Sequence, residues 1–337
     1  MAREAGVSTA TVSHVINETK FVTDDTRRRV RNAIEKLNFY PNANARSLAS
    51  GRSRIIGLLI SDIANPFFPE LVKSIETAAF ERGYSVILFN TNYNAERAAD
   101  YVRRLIELKV AGVALMTAEL DADLITELKN KQVRTVFNDL GAVDEHMSNI
   151  LLDYAGGIEQ AVAHLVALGH QRIAHISGSN NIRSGRIRRE AFVAAMKKSL
   201  PDADRSLIYE GDFRFESGRD AAAEILKSKQ LPTAIVAAND MMALGAMAEL
   251  KAAGLKIPRD ISIIGFDDIA FASLSEPPLT TVCSPRTEIG RQAIEALMKT
   301  IENPDQPGVE VKISTYLIKR KTTAAPKKTT IKKASTK

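Results

Sequence analysis

The 337-residue chain contains one cysteine, no tryptophan and only 6% aromatic residues. A single thiol, Cys283, can form neither an internal disulfide nor a zinc cluster, which suits a reducing compartment. No apolar run approaches the roughly 18 residues of a membrane-spanning helix, and the N-terminus lacks the basic and apolar segments of an export signal. We therefore expect a cytoplasmic protein that does not contact membranes.

The sequence motifs of several large enzyme classes are also absent. There is no glycine-rich phosphate loop with its lysine, no G-x-G-x-x-G after a strand, no H-E-x-x-H and no G-x-S-x-G. The five histidines show no paired metal-ligand spacing. We expect no enzyme, no cofactor and no metal site. An enzyme without these motifs is the alternative, and turnover would reveal it.

Charge is distributed unevenly along the chain. Residues 1–54 carry 10 Lys and Arg against 5 Asp and Glu, and residues 319–337 carry 8 basic residues and no acid. With a net charge of +6 overall, the body from 55 to 318 is left with −7. Two basic ends on an acidic body indicate a polyanionic partner for the ends and a different partner for the middle.

A short capped helix is predicted near the N-terminus. Gly6 marks a tight turn, Ser8 is a favourable N-cap, and Val12, Val15 and Ile16 recur at helical spacing as one buried stripe. The outward positions are small and polar, a composition that suits a helix lying against base edges. These positions are Thr9, Ala10, Thr11, Ser13, His14 and Asn17.

A basic helix follows, with Thr23 as its predicted cap and Asp24 and Asp25 in its first turn. Four arginines on this helix are candidates for phosphate contacts: Arg27, Arg28, Arg29 and Arg31. A helical cap with a solvated arginine face would explain the composition alone. The glycine turn, the short capped helix and the basic helix together favour a helix-turn-helix.

The string GVSTATVSHVIN, followed by TRRRV and LNFYPNANARSLAS, resembles the headpiece of the lactose repressor (LacI) family of bacterial transcription regulators. The resemblance implies a DNA-binding headpiece over residues 1–40, with a recognition helix that begins at Ser8 and ends at Asn17. Ser8 and the outward residues of that helix would then contact operator DNA in the major groove. Family members usually begin a few residues earlier, and Met1 stands at a valine position. Our hypothesis is that translation starts upstream, because a GTG valine codon can act as an initiator; without the missing segment the first helix keeps about one turn.

The resemblance also implies a hinge helix and linker over residues 41–53. Such a segment is too short to be stable alone and would fold when two copies meet on DNA. Arg46 would contact the DNA, and Leu48 would insert into the minor groove and kink it. An ordinary contact between the linker and the body is the alternative for Leu48, but the match of Ala45-Arg46-Ser47-Leu48 to the family favours the insertion.

From residue 54 the pattern changes to apolar strands that alternate with amphipathic helices, which predicts an α/β fold with parallel sheets. There are too many strands for one short unit, so we predict two doubly wound lobes. Lobe 1 would comprise about 54–153 and 284–312, and lobe 2 about 154–283 and 313–325. Residues 326–337 have no apolar stripe and are predicted to be a disordered basic tail, either solvating or with nonspecific affinity for DNA.

Polar residues follow several of the predicted strands, where ligands bind in open α/β sheets. Asp62, Asp153 and Asp240 serve equally well as turn or helix-capping residues. Recurrence at the same sheet edge favours a ligand role for another set: Asp139, Asn239, Asp267, Phe67, Phe68 and Phe213.

The stretches DIANPFF and AANDMMALGA resemble those of periplasmic ribose-type sugar-binding proteins. By this resemblance, hydroxyl groups of a sugar would bind to Asn65, Asp139, Arg188, Asn239 and Asp267, and its ring faces would pack on Phe67, Phe68 and Phe213. Carboxylates, amides and arginine satisfy hydroxyls, and aromatic rings cover C–H faces. Arg188 is chosen among Arg183, Arg186, Arg188 and Arg189 by the spacing of the family.

The sequence thus predicts a helix-turn-helix headpiece joined to a two-lobed body like that of periplasmic binding proteins. The predicted function is a dimeric regulator, most simply a repressor, that binds a pseudopalindromic double-stranded operator and responds to a small ribose-like sugar between the lobes. The segment GDFRFESG also resembles the purine-responsive branch of the family, so a nucleobase is the alternative effector. An exported sugar-binding protein is a further alternative, although it would not need residues 1–50.

Overall fold

The computed structural model divides the chain into two compact units, Met1–Arg54 and Ile55–Lys337. The described residues are 1–17, 20–39, 53–117, 120–139, 143–202 and 207–327. Arg46 and Leu48 of the predicted hinge lie outside them, as do residues 328–337 of the predicted tail.

The first unit contains three helices, α1 (Ala2–Ala5), α2 (Thr9–Asn17) and α3 (Asp24–Lys36). Gly6 joins α1 to α2 with a left-handed φ of +60°, a conformation that glycine adopts without strain. Ser8 caps α2 as predicted, because its Oγ accepts a hydrogen bond from the Thr11 amide at 3.1 Å. A small core lies between the three helices, formed by Ala5, Val12, Val30 and Ala33.

Arg29, one of the four candidates for phosphate contacts, also has a structural role that the sequence did not predict. Its Nε and Nη2 donate to the carbonyl of Ala5 at 3.0 and 2.7 Å, and Nη2 also donates to the carbonyl of Gly6 at 2.6 Å. These carbonyls end α1, a four-residue helix, and have no helical partner of their own. Arg29 is therefore committed to holding α1 against α3, since a short helix needs such tertiary contacts to form.

The second unit alternates strands and helices throughout. Its strands are β1 (Ile55–Ile60), β2 (Ser85–Asn90), β3 (Gly112–Met116), β4 (Thr135–Asn138), β5 (Met147–Asp153), β6 (Ile173–Ser177), β7 (Ile208–Glu210), β8 (Ala234–Ala237), β9 (Ser262–Asp267), β10 (Thr280–Cys283), β11 (Glu310–Ser314) and β12 (Tyr316–Ile318). Its helices are α4 (Phe67–Phe80), α5 (Ala95–Glu107), α6 (Ala122–Asn130), α7 (Tyr154–Ala167), α8 (Arg183–Ser199), α9 (Phe215–Leu226), α10 (Asp240–Ala252), α11 (Ala270–Leu274) and α12 (Arg286–Glu302).

The strands form two six-stranded sheets. The first has the order β11-β5-β4-β3-β1-β2 and is parallel throughout, and the second has the order β12-β10-β9-β8-β6-β7 with β12 antiparallel to β10. Strand β1 is paired on both sides and reads Ile-Ile-Gly-Leu-Leu-Ile, as expected for a strand with helices on both faces. The predicted α/β class is confirmed.

The chain passes between the two sheets three times: after β5, between β10 and α12, and between β11 and β12. The first and third passages are joined, because the Oγ1 of Thr315 donates to the carbonyl of Asp153 at 2.7 Å. One apolar cluster includes buried side chains of both sheets, among them Ile56 and Phe266. No helix among the described residues is long and apolar enough to cross a bilayer.

Candidate functional site

A cavity of about 80 Å³ lies where the carboxyl ends of the strands of both sheets meet. Its volume corresponds to roughly five to eight water-sized positions, which suits a small polar molecule. All eight residues predicted to bind a ligand line it: Asn65, Phe67, Phe68, Asp139, Arg188, Phe213, Asn239 and Asp267. Parallel strands explain this convergence, since they deliver their following residues to one edge of each sheet.

Aromatic side chains cover two sides of the cavity. Phe67 and Phe68 begin α4 and pack edge to face, with ring centroids 5.2 Å apart and an interplanar angle of 89°. From the other sheet, Phe213 adopts a φ of +70° and presses its ring against Gly178. A Cβ at position 178 would lie 2.1 Å from the Phe213 ring, so glycine there makes room for this wall.

Arg188 brings a buried positive charge from α8 to the centre of the cavity wall. Its guanidinium carbon lies 4.3 Å from the ring centroid of Phe266 and 4.6 Å from that of Tyr154. Its Nη1 donates to the carbonyl of Ala238, and its Nη2 lies 3.6 Å from Oδ1 of Asp267. Aromatic faces and a carboxylate on several sides hold this planar group in one orientation.

Asp267 ends β9, and its carboxylate is almost fully buried. Burial raises its pKa to about 6, and the guanidinium groups of Arg188 and Arg286 only partly oppose this effect. Its backbone adopts a φ of +112°, and Asp268 follows at +56°, both unusual for residues with a side chain. We call these two residues the Asp267 corner.

Asp139 directly follows β4 of the first sheet and lines the cavity. Its Oδ2 accepts a hydrogen bond from the hydroxyl of Tyr154 at 2.6 Å, and its Oδ1 accepts one from the Leu152 amide at 2.9 Å. Burial raises the pKa of Asp139 and raises that of Tyr154 well above its ordinary value. The hydroxyl therefore stays protonated and orients the carboxyl group.

Two buried polar atoms among the cavity residues have no hydrogen-bond partner within the described parts of the chain. They are Oδ1 of Asn138, an acceptor, and Nε of Arg188, a donor. Unpartnered buried polar groups are costly, and both of these atoms belong to residues that line the cavity.

Two of the predicted residues also hold the local backbone. The Oδ1 of Asn239 caps α10 by accepting from the Met242 amide at 2.9 Å, and its Nδ2 donates to the carbonyl of Phe213 at 2.8 Å. The Oδ1 of Asn65 accepts from the Phe67 amide at 3.1 Å. Capping and cavity lining are thus combined in the same side chains.

Two of the three aspartates with a turn or capping alternative have such contacts, and the third, Asp240, makes a tertiary contact instead. Asp153 caps α7 through the Gly156 amide, and Asp62 accepts from the Ala64 amide. Asp240 is fully buried, accepts from the Ile269 amide at 2.9 Å, and has a pKa raised well above its ordinary value by burial. None of these three lines the cavity.

Arg214 follows the cavity residue Phe213 without lining the cavity itself, and it reaches residues that follow strands of the first sheet. Its Nη2 donates to Oδ1 of Asn92 at 3.3 Å, its Nε lies 4.0 Å from Oδ2 of Asp62, and its guanidinium lies over the ring of Tyr93. Sequence reasoning missed Arg214. It also missed polar residues that line the cavity, namely Ser61, Tyr93, Thr117, Asn138, Tyr154 and Ser184. Arg183 was considered beside Arg188 and not chosen, and it lines the cavity as well. Position immediately after a strand was the available signal for Ser61, Thr117 and Tyr154.

In the first unit, the predicted DNA-contacting residues lie on α2 or at its start. Ser8, Thr9, Ala10 and Ser13 are exposed, and Thr11 and His14 are half-buried. Asn17 is the last residue of α2. The apolar stripe Val12, Val15 and Ile16 packs on the core instead, so the polar face is the one left for a partner.

Family models match both units. The model described as bacterial regulatory proteins, lacI family, matches residues 1–42, and the periplasmic binding protein-like domain matches residues 162–323. The chain is 36% identical to the HTH-type transcriptional repressor PurR of Vibrio atlanticus, over 96% of this chain and 97% of that protein.

Solved structures give the same result. A lac repressor dimer bound to operator and an anti-inducer superposes with a TM-score of 0.85 at 30% identity, covering 96% of this chain and 98% of the other. A LacI family transcriptional regulator from Enterococcus faecium, with bound ribose, superposes with a TM-score of 0.72 at 31% identity, covering 81% and 100%.

A helix-turn-helix unit followed by a two-sheet body with a polar cavity defines a DNA-binding transcriptional repressor. The chain belongs to the lacI family of bacterial regulatory proteins. Its relatives are transcriptional repressors and not enzymes, in agreement with the sequence prediction.

Proposed function

We propose that this repressor is controlled by a small neutral sugar, a ribose-like monosaccharide, that binds in the cavity between the two sheets. The observation that carries the proposal is the lining of the cavity. Buried carboxylates, Asp139 and Asp267, and the guanidinium of Arg188 face one space together with the rings of Phe67 and Phe68. Polar groups of this kind bind hydroxyls, and aromatic rings cover the C–H faces of a sugar.

The relative with bound ribose supports this effector class. The raised pKa of Asp267, about 6, leaves its carboxylate ionised at neutral pH and ready to accept. We place the repressor in the cytoplasm, where its operator would be.

The DNA-binding part of the proposal is a homodimer on a pseudopalindromic operator, as in the operator-bound lac repressor dimer. Each α2 would enter the major groove with its polar face, the residues from Ser8 to Asn17. Paired hinge segments, residues 41–53, would lie between the half-sites. There Arg46 would contact the DNA and Leu48 would open a base step in the minor groove.

Effector control requires that the sugar bind one arrangement of the two lobes more tightly than the other, since equal affinity would shift nothing. The lining of the cavity supports such control, because Asp139 and Phe67 belong to the first lobe and Arg188 and Asp267 to the second. A ligand that contacts both sheets changes its own contacts when the lobes move.

A purine effector is the second candidate. The similarity to PurR of Vibrio atlanticus over nearly the whole chain favours it, and Phe68 or Phe213 offers a face for a planar base. The sugar is preferred because buried carboxylates outnumber buried cations among the lining residues, and they accept from hydroxyls.

The test is fluorescence anisotropy with labelled DNA from upstream of the protein's own gene, at two salt concentrations, with no addition, with ribose and with hypoxanthine. We expect tight binding to one palindrome that weakens with salt, as phosphate contacts require, and that changes with ribose but not hypoxanthine. A response to hypoxanthine alone would replace the sugar with the purine. Failure to bind any palindrome would contradict the proposed operator.

A further inference from the structure

Arg286 is nearly buried and does not line the cavity. It contacts two segments that carry cavity residues, one from each lobe. Only 11% of its side chain is exposed. Its Nη1 donates to the carbonyl of Asp267 and its Nη2 donates to the carbonyl of Asp268 at 2.6 Å. On its other side, Nε donates to Oε2 of Glu70 at 2.8 Å.

The Asp267 corner needs such support because its backbone is unusual. Two consecutive non-glycine residues with φ values of +112° and +56° persist only where the surroundings determine them. Arg286 binds both carbonyls of the corner, Arg320 binds the Asp268 carboxylate at 2.6 Å, and Asp240 accepts from the amide of Ile269, the next residue. Of these three, only Arg286 also reaches the first sheet.

Glu70, the partner of Arg286 in the first lobe, lies in the first turn of α4. The same turn carries Phe67 and Phe68, the aromatic wall of the cavity. The side chain of Arg286 therefore connects the Asp267 corner of the second lobe with the turn of α4 that carries the aromatic wall of the first. Arg286 itself begins α12, directly after the chain has passed from the second sheet to the first.

We propose that Arg286 is a positioning residue for the effector site: it fixes the Asp267 corner so that the carboxylate lines the cavity, and it couples this corner to α4. The coupling rests on the proposed function, whereas the fixing of the corner does not. Arg286 would not touch the effector. It would set the orientation of a group that does, and it would transmit a change at that group to the other lobe.

The ionisation of Asp267 provides a readout that a purely structural role would not move. The charged or titratable groups that act on its carboxyl group are Arg188 from α8, Arg286 from α12 and Asp240 from α10, whose own pKa is raised by burial. Removing one cation raises the pKa of a neighbouring carboxyl group. Arg286→Gln should therefore raise the pKa of Asp267, and Arg286→Lys, which keeps the charge, should not.

The first experiment needs no effector. Free energies of unfolding are measured by urea between pH 5 and 8 for the full chain and for Asp267→Asn, each with and without Arg286→Gln. Two proteins that differ only by Asp267→Asn are compared, and the difference between their free energies of unfolding as a function of pH reports the ionisation of Asp267. We expect its midpoint, about 6 in the wild type, to rise by about one pH unit in Arg286→Gln and to stay in place in Arg286→Lys. The matched control is Arg291→Gln, on the same helix, whose side chain pairs with Glu288 and Glu295.

The second experiment measures ribose binding by calorimetry at pH 7 and operator release by anisotropy. Arg286→Gln should weaken ribose binding about tenfold, chiefly because the corner is free to move; protonation of about half of Asp267 at pH 7 would account for only about twofold of this loss. Glu70→Gln should bind ribose within about twofold of the wild type but lose part of the operator response, since only the tie to α4 is weakened.

The outcomes separate the two proposals. An Asp267 midpoint that is unchanged in Arg286→Gln would overturn the positioning role, whatever ribose does. If the wild type does not bind ribose, the sugar proposal fails while the unfolding experiment still decides the role of Arg286. If Arg286→Gln does not fold, Arg286→Lys and Glu70→Gln are compared instead. An operator response in Glu70→Gln equal to that of the wild type would then overturn the coupling.

Discussion

The first unit and the cavity of the second unit hold their functional side chains in opposite ways. On α2, the polar residues from Ser8 to His14 are exposed or half-buried, and only a small core with four buried side chains supports them. In the cavity, Asp139, Arg188 and Asp267 are buried, and each is held by several contacts from other elements. One surface is presented to a large partner, and the other encloses a small one.

The difference explains how each region gains its specificity. DNA supplies its own charge and a regular groove, so a protein surface of short polar side chains needs only a fixed helix behind it. A small ligand supplies few contacts, so the protein must orient each group beforehand. Single substitutions should therefore have large effects in the cavity and smaller effects on α2.

The largest effect is expected at Asp267. Replacing Asp267 with Ala removes a hydroxyl acceptor and leaves Arg188 without its carboxylate, and truncating one member of a buried charged pair costs about 2–5 kcal/mol. Ribose affinity measured by calorimetry should fall by about 100-fold or more, while operator affinity without ribose stays within about twofold. A ribose response that survives in this variant would show that the cavity is not the effector site.

Much of this site could be predicted because the relevant signal is local. An apolar strand that ends in Asp, as at Asp267, or is followed within two residues by Asn, as at Asn239, places a polar group at a sheet edge whatever the rest of the fold does. The choice of Arg188 among four arginines came from family spacing. In the structure, Arg186 and Arg189 bond to Asn180 instead.

What the sequence did not reveal is which distant groups meet. Nothing in the pattern pairs the Tyr154 hydroxyl with Asp139, or Arg286 with Glu70, 216 residues away along the chain. The same limit applies to Arg29, for which helical position alone indicated a phosphate contact but whose side chain bonds to Ala5. Such pairings depend on tertiary packing, and strand and helix patterns do not encode them.

A second test of the comparison uses pH, because only buried groups should make stability strongly pH-dependent. His175 lies on β6, stacks on Phe192 at 4.6 Å and donates from Nδ1 to the carbonyl of Val236 at 2.8 Å. Its Nε2 is buried without a partner in the described structure, and burial lowers the pKa of the imidazole to about 4. Protonation would add a buried N–H that has no acceptor.

The unfolded chain binds this proton near pH 6.5, so His175 makes the wild type lose stability as the pH falls from 6.5 towards 4. The contribution is about 3 kcal/mol over the range from pH 7 to 4. His175→Asn keeps a donor near the Nδ1 position and cannot titrate. The free energy of unfolding, measured with urea at pH 7 and at pH 4, should therefore fall by about 3 kcal/mol less in the variant than in the wild type. Equal falls in the two proteins would mean that His175 is not buried as a neutral group.

On α2 we expect a smaller effect with a different signature. Thr9→Val keeps the shape of an exposed side chain and removes its hydroxyl, so a base contact made by Thr9 would cost about 1–3 kcal/mol. Operator affinity should fall by about tenfold, discrimination against altered operators should weaken, and the salt dependence should stay unchanged. Arg31→Gln is the matched control for a phosphate contact and should lower the salt slope by about one. A changed salt slope in Thr9→Val would contradict base readout by this residue.

The smallest effect concerns the support of α2 itself. The Oγ of Ser8 caps the helix through the Thr11 amide at 3.1 Å, and replacing such a cap with alanine costs about 1 kcal/mol. In Ser8→Ala, the amides of Thr11 and Val12 should exchange with deuterium about fivefold faster, while amides in β9 of the body exchange at the wild-type rate. Ser8→Asp restores a capping oxygen and should restore slow exchange, yet its charge would oppose DNA and weaken operator binding.

If Ser8→Asp both slows exchange and preserves operator affinity, Ser8 only supports the helix. If it slows exchange and loses affinity, the cap and the DNA surface share one side chain, and the contrast between the two regions is one of degree, because even the exposed surface begins with a residue that the fold itself needs.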